Sequence, residues 1–132
     1  MQESAWDELK RAAMVARTHA YAPYSEFTVG AAIQTKSGAV FTGCNVENAS
    51  YGATLCAERA AMAAAVAAGE RELVALVIAS GARDPTPPCG ICRQCLAELG
   101  PSLPIRSYAG EAHREYDLGS LLPDAFGRDQ LD

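Results

Sequence analysis

No apolar run in the sequence approaches the eighteen or so residues that a membrane-spanning helix needs, so a membrane partner is not expected. Basic clusters are missing too. Eleven Lys and Arg stand against sixteen Asp and Glu, a net charge of −5, and no stretch is basic enough to follow a phosphate backbone. A nucleic-acid partner is therefore not expected. The opening Met1-Gln2-Glu3 has neither the basic nor the apolar region of a signal peptide. Histidine is scarce: His19 and His113 are the only two, and both read as ordinary surface or helix-end residues away from the cysteine motifs. An even cysteine count is also lacking. Cys44, Cys56, Cys89, Cys92 and Cys95 make five, which without a secretion signal argues against a disulfide framework and for a reducing, cytoplasmic setting. There is no internal repeat, low-complexity stretch or linker.

What is present is globular composition, 49% hydrophobic and 20% charged over 132 residues. That length suits one domain, residues 1–132, with core enough to fold without disulfides. Ser4 and Asp7 resemble a capping box, and Ala5, Trp6, Leu9, Ala12, Ala13 and Ala16 continue at helical spacing toward His19. Phe27–Thr35 reads as a strand apolar enough to be buried on both faces, Lys36-Ser37-Gly38 as a turn, and Ala39–Val46 as the returning strand. Glu47–Thr54 reads as a loop. A helix is predicted from Leu55, because eight of the twelve residues from Ala57 to Ala68 are alanine, and Gly69 stops it. Leu73–Ala79 suits a central strand, Gly81–Pro88 a loop and Gly90–Leu99 a third helix. Ile105–Ala109 and His113–Asp117 read as two more strands, and Gly119–Leu122 as a helical turn before an irregular tail. The strand–helix–strand segments imply parallel pairing through right-handed crossovers. The last two strands, joined by few residues, imply an antiparallel pair. The expected fold is α/β in three α/β/α layers: one mixed five-stranded sheet with helices on both faces.

The chemistry concentrates at two predicted helix starts. Cys89 and Cys92, three apart, can point to one side and offer a metal two thiolates. Cys56 sits at the other start, within Thr54-Leu55-Cys56-Ala57-Glu58-Arg59. Helix N-termini lower thiol pKa and favour thiolates. Glu58 lies two residues beyond Cys56, on the opposite side of a regular helix, so a shared site requires the metal to lie off the helix end. Three thiolates would leave a fourth position for water, with Glu58 as the proton carrier. The negative charge of such a centre needs an offset, for which Arg59, Arg93, the helix N-termini and a hydrogen bond from Gln94 are candidates. Rival readings remain. Cys89, Cys92 and Cys95 begin a ferredoxin-like run, although Leu99 and Gly100 stand where its fourth cysteine and proline belong. A closed four-sulfur zinc shell including Cys95 would leave Glu58 without a task. A thioredoxin-type redox pair would leave Cys56 and Glu58 unexplained. Cys44 and Cys95 read otherwise as small buried hydrophobes.

Cys56-Ala57-Glu58 followed by Pro88-Cys89-Gly90-Ile91-Cys92 resembles the signature of the zinc nucleoside and nucleobase deaminases, with cysteine in place of the first ligand histidine. Residues 21–32, from Tyr21 to Ala32, are similar to the first strand region of the small, tetrameric cytidine deaminases. Gly43-Cys44-Asn45-Val46-Glu47-Asn48 is similar to their ribose-binding segment, and Leu121-Leu122-Pro123-Asp124-Ala125-Phe126-Gly127 to their C-terminal motif. The resemblance implies one Zn2+ per subunit on Cys56, Cys89 and Cys92, with Glu58 as general acid and base. It implies Asn45 and Glu47 on the ribose hydroxyls, Phe27 beside the base, and the Ala57 carbonyl reading the exocyclic amine. Phe126 would stack on a base bound in a neighbouring subunit, and Arg59 and Gln94 would neutralise the thiolates. The implied partner is a nucleoside within a homotetramer, with Tyr24 and Tyr51 as candidate subunit contacts. The implied reaction is deamination of cytidine and 2′-deoxycytidine in pyrimidine salvage.

Overall fold

A hairpin and three crossing strands build a single sheet in the computed structural model, which describes residues 1–131. The hairpin is β1 (Val29–Thr35) and β2 (Val40–Cys44), which pair antiparallel. Gly38 closes its turn at φ +92°, a conformation that costs glycine little. β3 (Leu73–Ser80), β4 (Pro104–Ala109) and β5 (Ala112–Asp117) complete the sheet in the order β2-β1-β3-β4-β5. β3 lies antiparallel to β1 and parallel to β4, and β5 runs back antiparallel on β4. The parallel expectation therefore holds between neighbours only across β3 and β4. The helix after β2 does return the chain in the same direction, but β1 lies between β2 and β3. The reason is apolarity: β1 is the strand able to be buried on both faces, while Val40 and Thr42 on β2 are exposed and suit an edge.

The helices are α1 (Glu3–Arg17), α2 (Ala57–Ala67), α3 (Gly90–Leu99) and a single turn, α4 (Leu118–Leu121). Short 3-10 turns add Tyr51–Ala53 within the loop before α2 and Arg128–Leu131 in the tail expected to be irregular. Sheet residues alternate between two cores, as the pleat requires. Val29, Ala31, Ile33, Leu76, Ile78 and Ile105 face α2 and α3, where they meet Ala57, Ala61, Cys92 and Leu96. Ala32, Ala75, Val77, Ala79 and Tyr108 face α1, where they meet Trp6, Leu9 and Ala13. This is the three-layer arrangement expected.

Two glycines set how closely the layers approach. A Cβ on Gly30 would lie 2.0 Å from the Ala13 carbonyl oxygen, and one on Gly43 would lie 2.5 Å from the Ala61 nitrogen. The alanines of α2 have the same use on their inner face: Ala57, Ala61 and Ala65 are fully buried, so the helix backbone rests against the hairpin.

Two helix starts differ from expectation. α1 begins at Glu3, with Gln2 as its N-cap and no side-chain capping bond, so Ser4 is inside the helix. Glu3 instead bonds Arg106 of β4 at 2.8 and 3.0 Å. α2 begins at Ala57 rather than Leu55, because Leu55 bridges to Val46 through two backbone hydrogen bonds of 2.9 Å.

Candidate metal centre and active site

The late start of α2 makes Cys56 its N-cap, and Cys89 is likewise the N-cap of α3. Both residues are extended, with φ −75° and ψ 152° at Cys56 and φ −67° and ψ 168° at Cys89. Their side chains therefore leave the helix ends rather than the helix flanks. Cys92, in the first turn of α3, completes a group whose sulfurs all lie within 4.8 Å of one another. Sγ of Cys56 and Sγ of Cys89 are 3.8 Å apart. Two thiolates each about 2.3 Å from one zinc ion at a tetrahedral angle stand about 3.8 Å apart, so the donor set fits zinc in both softness and spacing. Cys95 is not in the group. It stands half-buried one turn further along α3, and Cys44 is half-buried on β2.

The thiols are unequal. The Cys92 thiol donates to Cys56 and holds the Cys56 thiol down at about 5; burial opposes this, and Arg59 and Cys89 assist it. Cys92 moves the other way, upward, through that same hydrogen bond and its burial. Arg59 Nη2 donates to Cys56 Sγ at 3.6 Å and to the Thr54 carbonyl at 3.2 Å. Its guanidinium thus sets a positive charge against the sulfurs, while its Nε is buried without a partner. Glu58 is only 6% exposed. Burial above all pushes its carboxyl up to about 7, with the negative charge of Cys56 adding to it, against the hydrogen bond from its own backbone N–H and the weaker pull of Arg59.

Glu58, Cys56 and Cys89 open on a cavity of about 240 Å³ walled by Phe27, Val29, Asn45, Glu47, Ala57 and Ile78. The ribose and base candidates thus come to one place. Each is also fixed locally. Asn45 Oδ1 accepts the Val29 N–H at 2.8 Å and its Nδ2 donates to the Phe27 carbonyl at 2.7 Å, leaving one amide N–H free of these bonds. Glu47 accepts the N–H groups of Tyr24 at 2.9 Å and Ser25 at 3.1 Å, and the Ser25 hydroxyl. That hydroxyl, then the two amides, hold its carboxyl below the ordinary range, so it stays ionised. Tyr24 and Tyr51 meet edge-on beside it, ring centroids 5.8 Å apart. Ala57 lines the cavity, but its carbonyl oxygen lies toward β2, where a Cβ on Gly43 would come within 2.6 Å of it.

Two candidates lie elsewhere. Phe126 is 58% exposed and is not part of the cavity wall. Gln94 Nε2 donates to the Phe126 carbonyl at 2.8 Å, a different partner from the sulfur expected for it. Sequence reasoning also missed Val29, Thr54, Ile78, Thr86 and Pro87 as parts of the wall. The Thr86 N–H donates to Ser107 Oγ on β4 at 3.1 Å, and Ser107 is fully buried. The signal available was chain continuity, since any segment entering Cys89 must pass the site.

Three thiols converging at two helix N-termini beside a buried carboxyl belong to the class of hydrolases that activate water on zinc. Residues 4–105 match the family model described as the cytidine and deoxycytidylate deaminase zinc-binding region. The cytidine deaminase of Mycobacterium tuberculosis strain H37Rv is 47% identical over 131 residues, 99% of this chain and 96% of its own. That of Halalkalibacterium halodurans is 44% identical over 126 residues, 93% of this chain and 95% of its own. The crystal structure of cytidine deaminase from Burkholderia pseudomallei has a TM-score of 0.87 at 49% identity, covering 91% of this chain and 98% of that one. The chain belongs to the cytidine and deoxycytidylate deaminase family, hydrolases whose cofactor is Zn2+.

Proposed function

We propose that the protein hydrolytically deaminates free cytidine to uridine with release of ammonia, using Cys56, Cys89 and Cys92 as zinc ligands and Glu58 as proton carrier. The observation that carries this reading is a buried Glu58, pushed up to about 7, sharing one cavity with Cys56 and Cys89 and with Asn45 and Glu47. Bound zinc supplies an activated water. The Glu58 carboxylate accepts a proton from that water and delivers it to ring nitrogen 3 as the water oxygen bonds ring carbon 4; it then accepts that oxygen's remaining proton and delivers it to the amine as the bond from carbon 4 to the amine nitrogen breaks. A carboxyl titrating near 7 can give and take protons at neutral pH. The water oxygen ends as the 4-oxo group of uridine, the amine leaves as ammonia, and Glu58 returns to its starting state.

Arg59 offsets the thiolate charge. Phe27 walls the base, and Asn45 and Glu47 bond the sugar hydroxyls; the Ala57 carbonyl, turned toward Gly43 in the first turn of α2, is not placed to meet the exocyclic amine. 2′-Deoxycytidine enters the same pocket with one hydroxyl fewer to satisfy. Substrate and product are both free nucleosides, which assigns the step to pyrimidine salvage. Five free cysteines suit the reducing cytoplasm, and the net charge of −5 disfavours nucleic acid. Among the described residues no helix is long and apolar enough to cross a membrane. The exposed Phe126, Tyr24 and Tyr51 support a homotetramer in which Phe126 stacks on a base held by another copy. Cytidine absorbance followed on adding purified protein, before and after chelation, tests the activity. Loss of the absorbance change on chelation and its return with Zn2+ are expected; turnover that persists without metal would refute the reading.

A further inference from the structure

Adjacent side chains on α3 reach three carbonyls in two other segments. Arg93 Nε donates to the Pro88 carbonyl at 2.8 Å, immediately before Cys89, and its Nη1 donates to the Leu121 carbonyl at 3.0 Å. Gln94 Nε2 donates to the Phe126 carbonyl at 2.8 Å. Pro88 is buried and Arg93 half-buried, whereas Gln94 and Phe126 are exposed. The chain between Leu121 and Phe126 has no helix or strand of its own, and Asp124 within it adopts a left-handed φ of 51°. These carbonyls have no ladder to join, so the two side chains of α3 fix the path of the segment. An aromatic ring that is 58% exposed thus rides on a backbone tied to the helix that carries Cys89 and Cys92.

We propose that Gln94, with Arg93, is a positioning residue that splints the Leu121–Phe126 segment to the metal-bearing helix and so sets where the Phe126 ring is presented. Gln94 acts on Phe126 through its carbonyl, not on the sulfurs. The proposal rests on the reading of Phe126 as a base-stacking residue.

The zinc-loaded enzyme tests it with Gln94→Met, Phe126→Ala and the double variant, each read by KM and kcat for cytidine and by the rate of zinc release to a chromogenic chelator. Gln94→Met keeps the length of the side chain and removes its amide, and with it the donor to the Phe126 carbonyl. It is expected to raise KM roughly 2- to 10-fold, the worth of one net hydrogen bond, with zinc release at the wild-type rate. In the Phe126→Ala background its effect on KM should vanish, because the two act as one unit. Arg93→Lys, which cannot span both carbonyls with one fork, should raise KM as well. Faster zinc release from Gln94→Met with unchanged KM would return the amide to the thiolates and overturn the splint. So would a Gln94 effect that persists in full without the Phe126 ring. If Phe126→Ala leaves KM unchanged, the stacking reading itself fails, and the splint with it.

Discussion

Glu58 owes its chemistry to its surroundings. A carboxyl in the first turn of a helix is ordinarily stabilised as an anion by the helix dipole, yet this one is 6% exposed and pushed up to about 7. The desolvation outweighs the dipole. Glu58→Gln keeps the shape and removes the proton exchange, so kcat should fall by about 10²- to 10⁴-fold while zinc content measured by atomic absorption stays at one per chain. The gathering of Cys56, Cys89 and Cys92 was legible because each motif stands at a helix start and the pair of motifs carries a family resemblance. The bonds of Arg93, Gln94 and Thr86 were not legible, because their partners are backbone carbonyls or a hydroxyl in segments remote in sequence, 21 to 32 positions away for Thr86, Arg93–Leu121 and Gln94. Sequence patterns record which residues are present and carry little about which distant backbone atom each will meet.

At the scale of elements, the alanine content of α2 has its explanation in Gly43. Small residues on both sides let helix and hairpin backbones approach, which holds Cys56 and Glu58 at the sheet edge. Gly43→Ala would bring a methyl within 2.5 Å of the Ala61 nitrogen and 2.6 Å of the Ala57 oxygen. Overpacking of this kind should cost about 1–3 kcal/mol, measured by chemical denaturation, and should lower turnover as the start of α2 shifts. Gly38→Ala, in an open turn with nothing within 4 Å, serves as the comparison: it should lose stability through its positive φ but leave turnover unchanged. Most elements were legible from periodicity, and α3 was expected at Gly90–Leu99, where it is found. The place of β1 between β2 and β3 was not legible, since local pattern gives a strand its faces and not its neighbours. The late start of α2, with Leu55 bridged to Val46 instead, was likewise decided by tertiary pairing.

For the whole molecule, one ion pair joins distant ends of the chain. Glu3 of α1 is held below the ordinary carboxylate range, first by its hydrogen bond from Arg106, and the Arg106 guanidinium lies 4.5 Å over the Trp6 ring. A lowered carboxyl pKa stabilises the fold above the unfolded value and loses that contribution as pH falls through the folded value. The acid side of the stability curve should therefore be shallower for Glu3→Gln than for the wild type, and the two should converge once Glu3 is protonated, as followed by circular dichroism. Metal removal acts on a larger scale. A cation bound a thousandfold above its dissociation constant stabilises a fold by roughly 4 kcal/mol, so chelation should lower Tm by on the order of 10 °C. Cys89→Ala, with its ligand set broken, should show little further drop.

β3 separates the two cysteine-bearing segments in the chain, with Cys56 before it and Cys89 and Cys92 after it. A nascent chain therefore cannot assemble the full sulfur trio until the middle strand of the sheet has been synthesised and the next helix has begun. Cation capture is tied by chain order to the late stage of synthesis, so a ribosome-stalled fragment ending within β3 should hold at most a single one of the three sulfurs and let the ion go.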